Sequence, residues 1–65
     1  MKVDVGRLRQ LRKSNVLSMR ELAASSGVSY NTIWRLENGL TGGQPRTIRK
    51  LARVLGVEPS ELTAD

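Results

Sequence analysis

With 65 residues the chain has room for one domain, and a domain of this size buries only about 60% of the surface its unfolded chain exposes, so pairing with a second copy would help it. It contains no Cys and no His, which excludes disulfide staples and thiolate metal sites and removes the commonest general base and neutral metal ligand. The formal net charge is +5, and all 11 Lys and Arg but only three of the six acids fall in the first 57 residues, leaving that stretch at +8; this density fits a polyanionic partner, and equally a solvated basic surface.

Apolar residues recur at helical spacing along most of the chain, and no stretch alternates for long enough to form a strand. Asp4 is placed to cap a first helix running to about residue 13, with Leu8 and Leu11 on one face and Asn15 as a left-handed stop. Ser18 followed by Glu21 forms a capping box that starts a second helix over about residues 19 to 25, which Gly27 ends. Ser29 caps a third helix over about residues 30 to 38, with Gly39 in its C-terminal left-handed position. After the loop LTGGQ, Pro45 fits the first turn of a fourth helix whose buried stripe is Ile48, Leu51, Ala52 and Leu55. Gly56 closes it, and Pro59 opens a short final turn through Leu62. No run approaches the roughly 18 apolar residues of a membrane span, and MKVDVGRLRQ lacks the apolar stretch of a signal peptide, so a soluble, cytoplasmic protein is expected.

The second and third helices are joined by SSGVS. Ala23 is small where two crossing helices need close approach, Gly27 supplies the turn, and Val28, Ile33 and Leu36 are apolar on the far side, which is the pattern of a helix-turn-helix. An ordinary helical hairpin would also explain the apolar residues, but not the chemistry of the outer surface.

The stretch LSMRELAASSGVSYNTIWRLENG, continued by TIRKLARVLGVEPSEL, resembles the Cro and phage-repressor type of helix-turn-helix protein, the xenobiotic-response-element family, over roughly residues 7 to 62. Its most specific marks are Leu22, Ala23, Gly27, Val28, Ser29, Ile33 and Leu36, together with LENG and the later LGV. The resemblance implies an all-α, compact five-helix, lambda-repressor-like domain over residues 1 to 65. It further implies a sequence-specific double-stranded DNA-binding transcriptional regulator, a repressor, bound as a homodimer to a palindromic operator in a bacterial or phage nucleoid. No cofactor, metal or small-molecule ligand is expected. Three residues depart from the family pattern: Met19 stands where Gln is frequent, Val16 where Gly is common, and Ser26 where an apolar residue is usual. The last two imply a looser first turn and hairpin bridge.

A helical wheel at about 100° per residue gives an independent reading of the third helix. Ser29, Ile33 and Leu36 fall on one side and are expected to face the core. Asn31, Arg35 and Asn38 fall on the other, with the only two aromatics, Tyr30 and Trp34, on a flank. In a major groove, Asn31 has the chemistry to pair with adenine and Arg35 with guanine, while Ser29 or Thr32 suits a thymine methyl or a hydrogen bond. The resemblance places Tyr30 and Trp34 with these base readers and assigns backbone phosphates to Ser18, Met19, Arg20, Asn38, Gly39, Thr41 and Arg46. It also implies a structural ion pair between Arg12 and Glu37 that orients the third helix. Arg49, Lys50 and Arg53 complete a basic outer face on the fourth helix, expected to be solvated.

A contact surface between copies is expected around Leu40, Val54, Val57 and Leu62. The rival function is a protein-interaction adaptor, antitoxin-like or coactivator-like, in which Trp34, Tyr30 and Leu40 anchor a protein. An enzyme is disfavoured: no carboxylate pair suits a cleft, and the glycines match neither phosphate-loop pattern.

Overall fold

The computed structural model describes residues 1 to 64. Four α-helices, α1 (Val5–Ser14), α2 (Met19–Ser26), α3 (Tyr30–Glu37) and α4 (Pro45–Leu55), are followed by a single 3-10 turn over Pro59–Leu62. The chain is thus all-α, and the last of the five helices expected from the sequence is this one short turn.

The helix boundaries are written in capping chemistry. Asp4 accepts from the Arg7 N–H at 3.0 Å, which satisfies one of the orphan donors at the start of α1. At α2 the capping box closes in both directions: the Glu21 N–H donates to Ser18 Oγ at 3.0 Å and the Ser18 N–H to Glu21 Oε1 at 2.9 Å. Gly27 and Gly56, at φ 74° and 73°, end α2 and α4 in the left-handed conformation.

The end of α1 departs from expectation. Asn15 keeps φ at −87°, and Val16 takes the left-handed position at +56°. The Asn15 amide donates to Leu11 O at 2.8 Å, closing the helix through its side chain, so the chain reverses one residue later. A β-branched residue in this conformation is strained by about 1–2 kcal/mol. Val16 is also 86% exposed, so no packing offsets the strain.

The bridge between α2 and α3 is tied rather than loose. Ser26 Oγ donates to Leu22 O at 2.6 Å and accepts from the Val28 N–H at 3.2 Å, so a polar residue at a position expected to be apolar stitches the turn together. Around this bridge Leu8, Leu22, Ile33, Leu36, Ile48, Leu51 and Leu62 are fully buried in one core, each contributing about 1.5–3 kcal/mol. Ala23 packs against that core, as the crossing of α2 and α3 requires.

Both ends of the described chain are sewn to this core. Asp4 N donates to Leu62 O at 2.9 Å, Ala64 N to Lys2 O at 3.0 Å and Gly43 N to Met1 O at 2.8 Å, with an isolated bridge between Val3 and Thr63. Gly43 suits this close crossing, because a Cβ there would stand 2.6 Å from Ile48 Cδ1 and 3.0 Å from Val3 Cγ2, so those side chains would have to shift. The loop between α3 and α4 is thereby held from behind.

Candidate nucleic-acid interface

α3 begins at Ser29, whose hydroxyl accepts from the Thr32 N–H at 3.2 Å and lies 2.8 Å from Thr32 Oγ1. Ser29 is exposed and does not face the core. Its side chain turns back over the first turn of the helix, because a capping residue must reach the N–H three positions on. The core-facing side of α3 is instead Ile33, Leu36 and Glu37.

Glu37 is the one buried charged residue among those described, and its partners are fully directional. Arg12 donates from Nε to Glu37 Oε2 at 2.7 Å and from Nη2 to Glu37 Oε1 at 3.0 Å, while its Nη1 donates to Leu17 O at 2.9 Å. Arg9 adds a longer contact at 3.9 Å. The planar fork fixes the rotation of α3 against α1 in a way that apolar packing alone does not.

With that side locked, Asn31, Trp34 and Arg35 are exposed on the outer face. Tyr30 and Trp34, 38% and 42% exposed, are surface residues and not core residues. Asn38 closes the helix by donating its amide to Trp34 O at 2.7 Å, and Gly39 takes φ 69° to turn the chain into the loop.

Two flanks border the outer face. On one, the Arg20 guanidinium at the start of α2 lies 5.1 Å from the Tyr30 ring centroid. On the other, Thr32, Arg35, Thr41, Gln44 and Thr47 line an open polar groove of about 270 Å³, floored by Gly42 and Gly43. Gln44 and Thr47 were not among the site residues expected from the sequence. Their only sequence signal is that they bracket the Pro45 helix start, and their approach to Arg35 depends on how α4 docks. Arg46 is exposed in the first turn of α4, where Gln44 occupies the cap position without a side-chain hydrogen bond.

Of the expected backbone set, Ser18, Arg20, Asn38, Gly39, Thr41 and Arg46 are exposed, whereas Met19 is half-buried against the core. What Met19 offers outward is its N–H, one of the unpaired donors of a helix start.

The charge is distributed unevenly. Among the described residues the ion pairs are Arg7 to Glu61, Arg9 to Glu37 and Arg12 to Glu37, whose cations are all on α1. Arg20, Arg35, Arg46, Arg49, Lys50 and Arg53 on α2 to α4 have no carboxylate partner among those residues. Two carboxylates are committed elsewhere and held below the ordinary glutamate range: Glu21 by the Ser18 N–H and then its hydroxyl, and Glu61 by the Glu58 N–H and then Arg7. No group of three or more His, Cys, Asp or Glu side chains is gathered as metal ligands would be, and no helix is long and apolar enough to cross a membrane, among the described residues. The surface therefore combines unpaired cations with in-plane amide and guanidinium donors, the chemistry that binds phosphates and base edges.

A model of the helix-turn-helix domain matches residues 5–64. The HTH-type transcriptional regulator RghRB of Bacillus subtilis (strain 168) is 47% identical over 58 residues, covering 88% of this chain and 42% of its own length. The cryptic phage CTXphi transcriptional repressor RstR of Vibrio cholerae is 36% identical over 59 residues, covering 91% of this chain and 53% of its own. The chain thus spans about half or less of the length of these relatives. Among solved structures, the restriction-modification controller protein C.AhdI from Aeromonas hydrophila superposes with a TM-score of 0.82 at 37% identity, over 88% of this chain and 86% of that one. On this sequence match, and with α2 and α3 joined by the stitched turn at Gly27, the chain belongs to the helix-turn-helix domain family.

Proposed function

We infer that residues 1 to 65 form a single sequence-specific DNA-binding domain of a transcriptional regulator, acting as a repressor by occupying an operator rather than by catalysis. α3 enters the major groove, with Asn31 and Arg35 reading base edges and Tyr30, Thr32, Trp34 and Ser29 completing the reading set. Ser18, Arg20, Asn38, Gly39, Thr41, Arg46 and the Met19 N–H hold the sugar-phosphate walls.

The observation that carries this reading is the outer face of α3: Asn31 and Arg35 are exposed on a helix whose opposite side is locked by the Arg12–Glu37 fork. Relatives named as transcriptional regulators and repressors support it.

The reading includes a two-fold homodimer on a palindromic operator, with which the size of one copy is compatible. One copy measures 26 × 22 × 19 Å and covers one half-site, leaving the next half-site, roughly 34 Å away, for a second copy. Leu62 is fully buried and is excluded from the contact between copies. Leu40, 64% exposed, remains in it, with the half-buried Val54 and Val57. The protein works in the cytoplasm, at the nucleoid.

Selection of bound duplexes from a random pool tests this reading. It predicts a palindromic consensus and an affinity that falls with salt at a log-log slope near −0.9 for each phosphate neutralised. The exposed Trp34 and Leu40 favour one rival, a protein-binding adaptor. Absence of duplex binding at low salt, with capture of a protein partner that Trp34→Ala abolishes, would establish the adaptor instead.

A further inference from the structure

Arg20 differs from the other cations of this surface in having an aromatic plane beneath it. Its guanidinium carbon lies 5.1 Å from the centroid of Tyr30, the first residue of α3, within the range of a cation–π contact. The acid next to it in sequence, Glu21, is occupied by the Ser18 capping box, and no described carboxylate pairs with Arg20. The charge is therefore unneutralised, the Tyr30 ring face limits where the guanidinium sits, and its N–H groups donate to no hydrogen bond among the described residues.

A point charge serves a phosphate from many orientations, whereas an oriented planar fork matches a pair of acceptors lying in one plane. Both a guanine edge, O6 with N7, and a phosphate offer such a pair. Position separates them: the head of Arg20 is held over the N-terminal residue of α3, and the N-terminal residues of a recognition helix approach the base edges most closely.

We propose that Arg20 and Tyr30 form one reading unit, in which Tyr30 is a positioning residue that orients the Arg20 guanidinium toward a guanine in the half-site. This moves Arg20 from the phosphate-holding set named above to the base readers, as a determinant of sequence specificity. This rests on the DNA-binding reading above. It also gives Tyr30 a role through its ring face, which Phe would preserve and Leu would not.

The experiment uses the full chain with duplexes from the random-pool selection, comparing wild type with Arg20→Lys, Tyr30→Phe, Tyr30→Leu and the double variant Arg20→Lys/Tyr30→Leu. Wild type should prefer guanine at one position of each half-site by roughly 5- to 150-fold, the value of one bidentate base contact. Arg20→Lys keeps the charge but loses the fork, so it should abolish that preference. Tyr30→Phe should retain it, Tyr30→Leu should lose most of it, and the double variant should lose no more than Arg20→Lys alone. A guanine preference unchanged in Arg20→Lys would make Arg20 a phosphate contact and overturn the proposal, as would a preference unchanged in Tyr30→Leu. If Tyr30→Leu lowers the melting temperature, the Arg20→Lys arm decides alone, since Arg20 is exposed. Failure of wild type to bind any duplex overturns the DNA-binding reading itself, whereas binding whose sequence preference ignores Arg20→Lys overturns only the reading unit.

Discussion

Helices α3 and α4 are both amphipathic, but they are held by different forces and face outward with different chemistry. α4 presses Ile48, Leu51, Ala52 and Leu55 into the core and turns Arg46, Arg49, Lys50 and Arg53 outward, a face of charge alone. α3, three residues shorter, buries Ile33 and Leu36 and adds a buried carboxylate forked by Arg12, and its outer face carries an amide, a guanidinium and two aromatic rings. Apolar area tolerates small rotations of a helix, whereas a bidentate ion pair does not. The contrast teaches that the helix whose outer groups have directional hydrogen bonding is also the one whose rotation is fixed by a directional bond. Solvated cations on α4 need no such registration, because the attraction of a point charge is insensitive to a few degrees of rotation.

The contrast breaks first at Glu37. Glu37→Ala leaves Arg12 half-buried without its partner and should cost about 3–5 kcal/mol in chemical denaturation. A variant as stable as wild type would show that α3 is held by packing alone, as α4 is.

Arg35→Ala should cost about 1–3 kcal/mol in binding and relax preference at particular base pairs, while Arg53→Ala should leave sequence preference unchanged. Affinities measured on the selected operator and on single-base variants of it distinguish the two. Matching, sequence-independent losses would erase the functional difference between the two outer faces.

Val16→Gly lies outside both helices and sharpens the comparison by separating stability from reading. Relieving the left-handed strain at φ +56° should raise stability by about 1 kcal/mol, seen as a higher melting temperature, with operator preference unaltered.

The smallest effect is acid sensitivity at the caps. The carboxyl groups of Glu21 and Glu61 have their pKa held below the ordinary value of 4.5, so each stabilises the folded state above that pH and loses its contribution as pH falls through the lowered folded values. Melting temperatures should be flat from neutrality to about pH 5 and decline below 4.5, with a shallower acid limb in Glu21→Gln. Because both groups are exposed, the decline should be slight.

Much of this architecture is legible in the order of residues because it is decided locally. Caps at Asp4, Ser18 and Ser29, left-handed glycines at 27, 39 and 56, and the stripe of α4 depend on neighbours within four positions, and the folded chain uses them in that way. Ser29 shows the limit of a wheel: its angle matches the core side, yet its hydroxyl is needed by the Thr32 N–H, so it stays at the surface. Asn15 likewise has the composition of a left-handed stop but spends its amide on Leu11 O, passing the strain to Val16.

By itself, then, the sequence determined which segments become helices, where each starts, to within a residue or so where it stops, and which side of each is apolar, because hydrogen-bond capping and side-chain periodicity act over one or two turns. Only the tertiary structure decided the rest. It seated Arg20 on Tyr30, brought Gln44 and Thr47 beside Arg35, wrapped Glu37 in Arg12 and threaded the segment before Asp4 between Gly43 and residues 62 to 64. Those contacts join residues from 9 to 62 positions apart, and their geometry is set by how four helices share one small core.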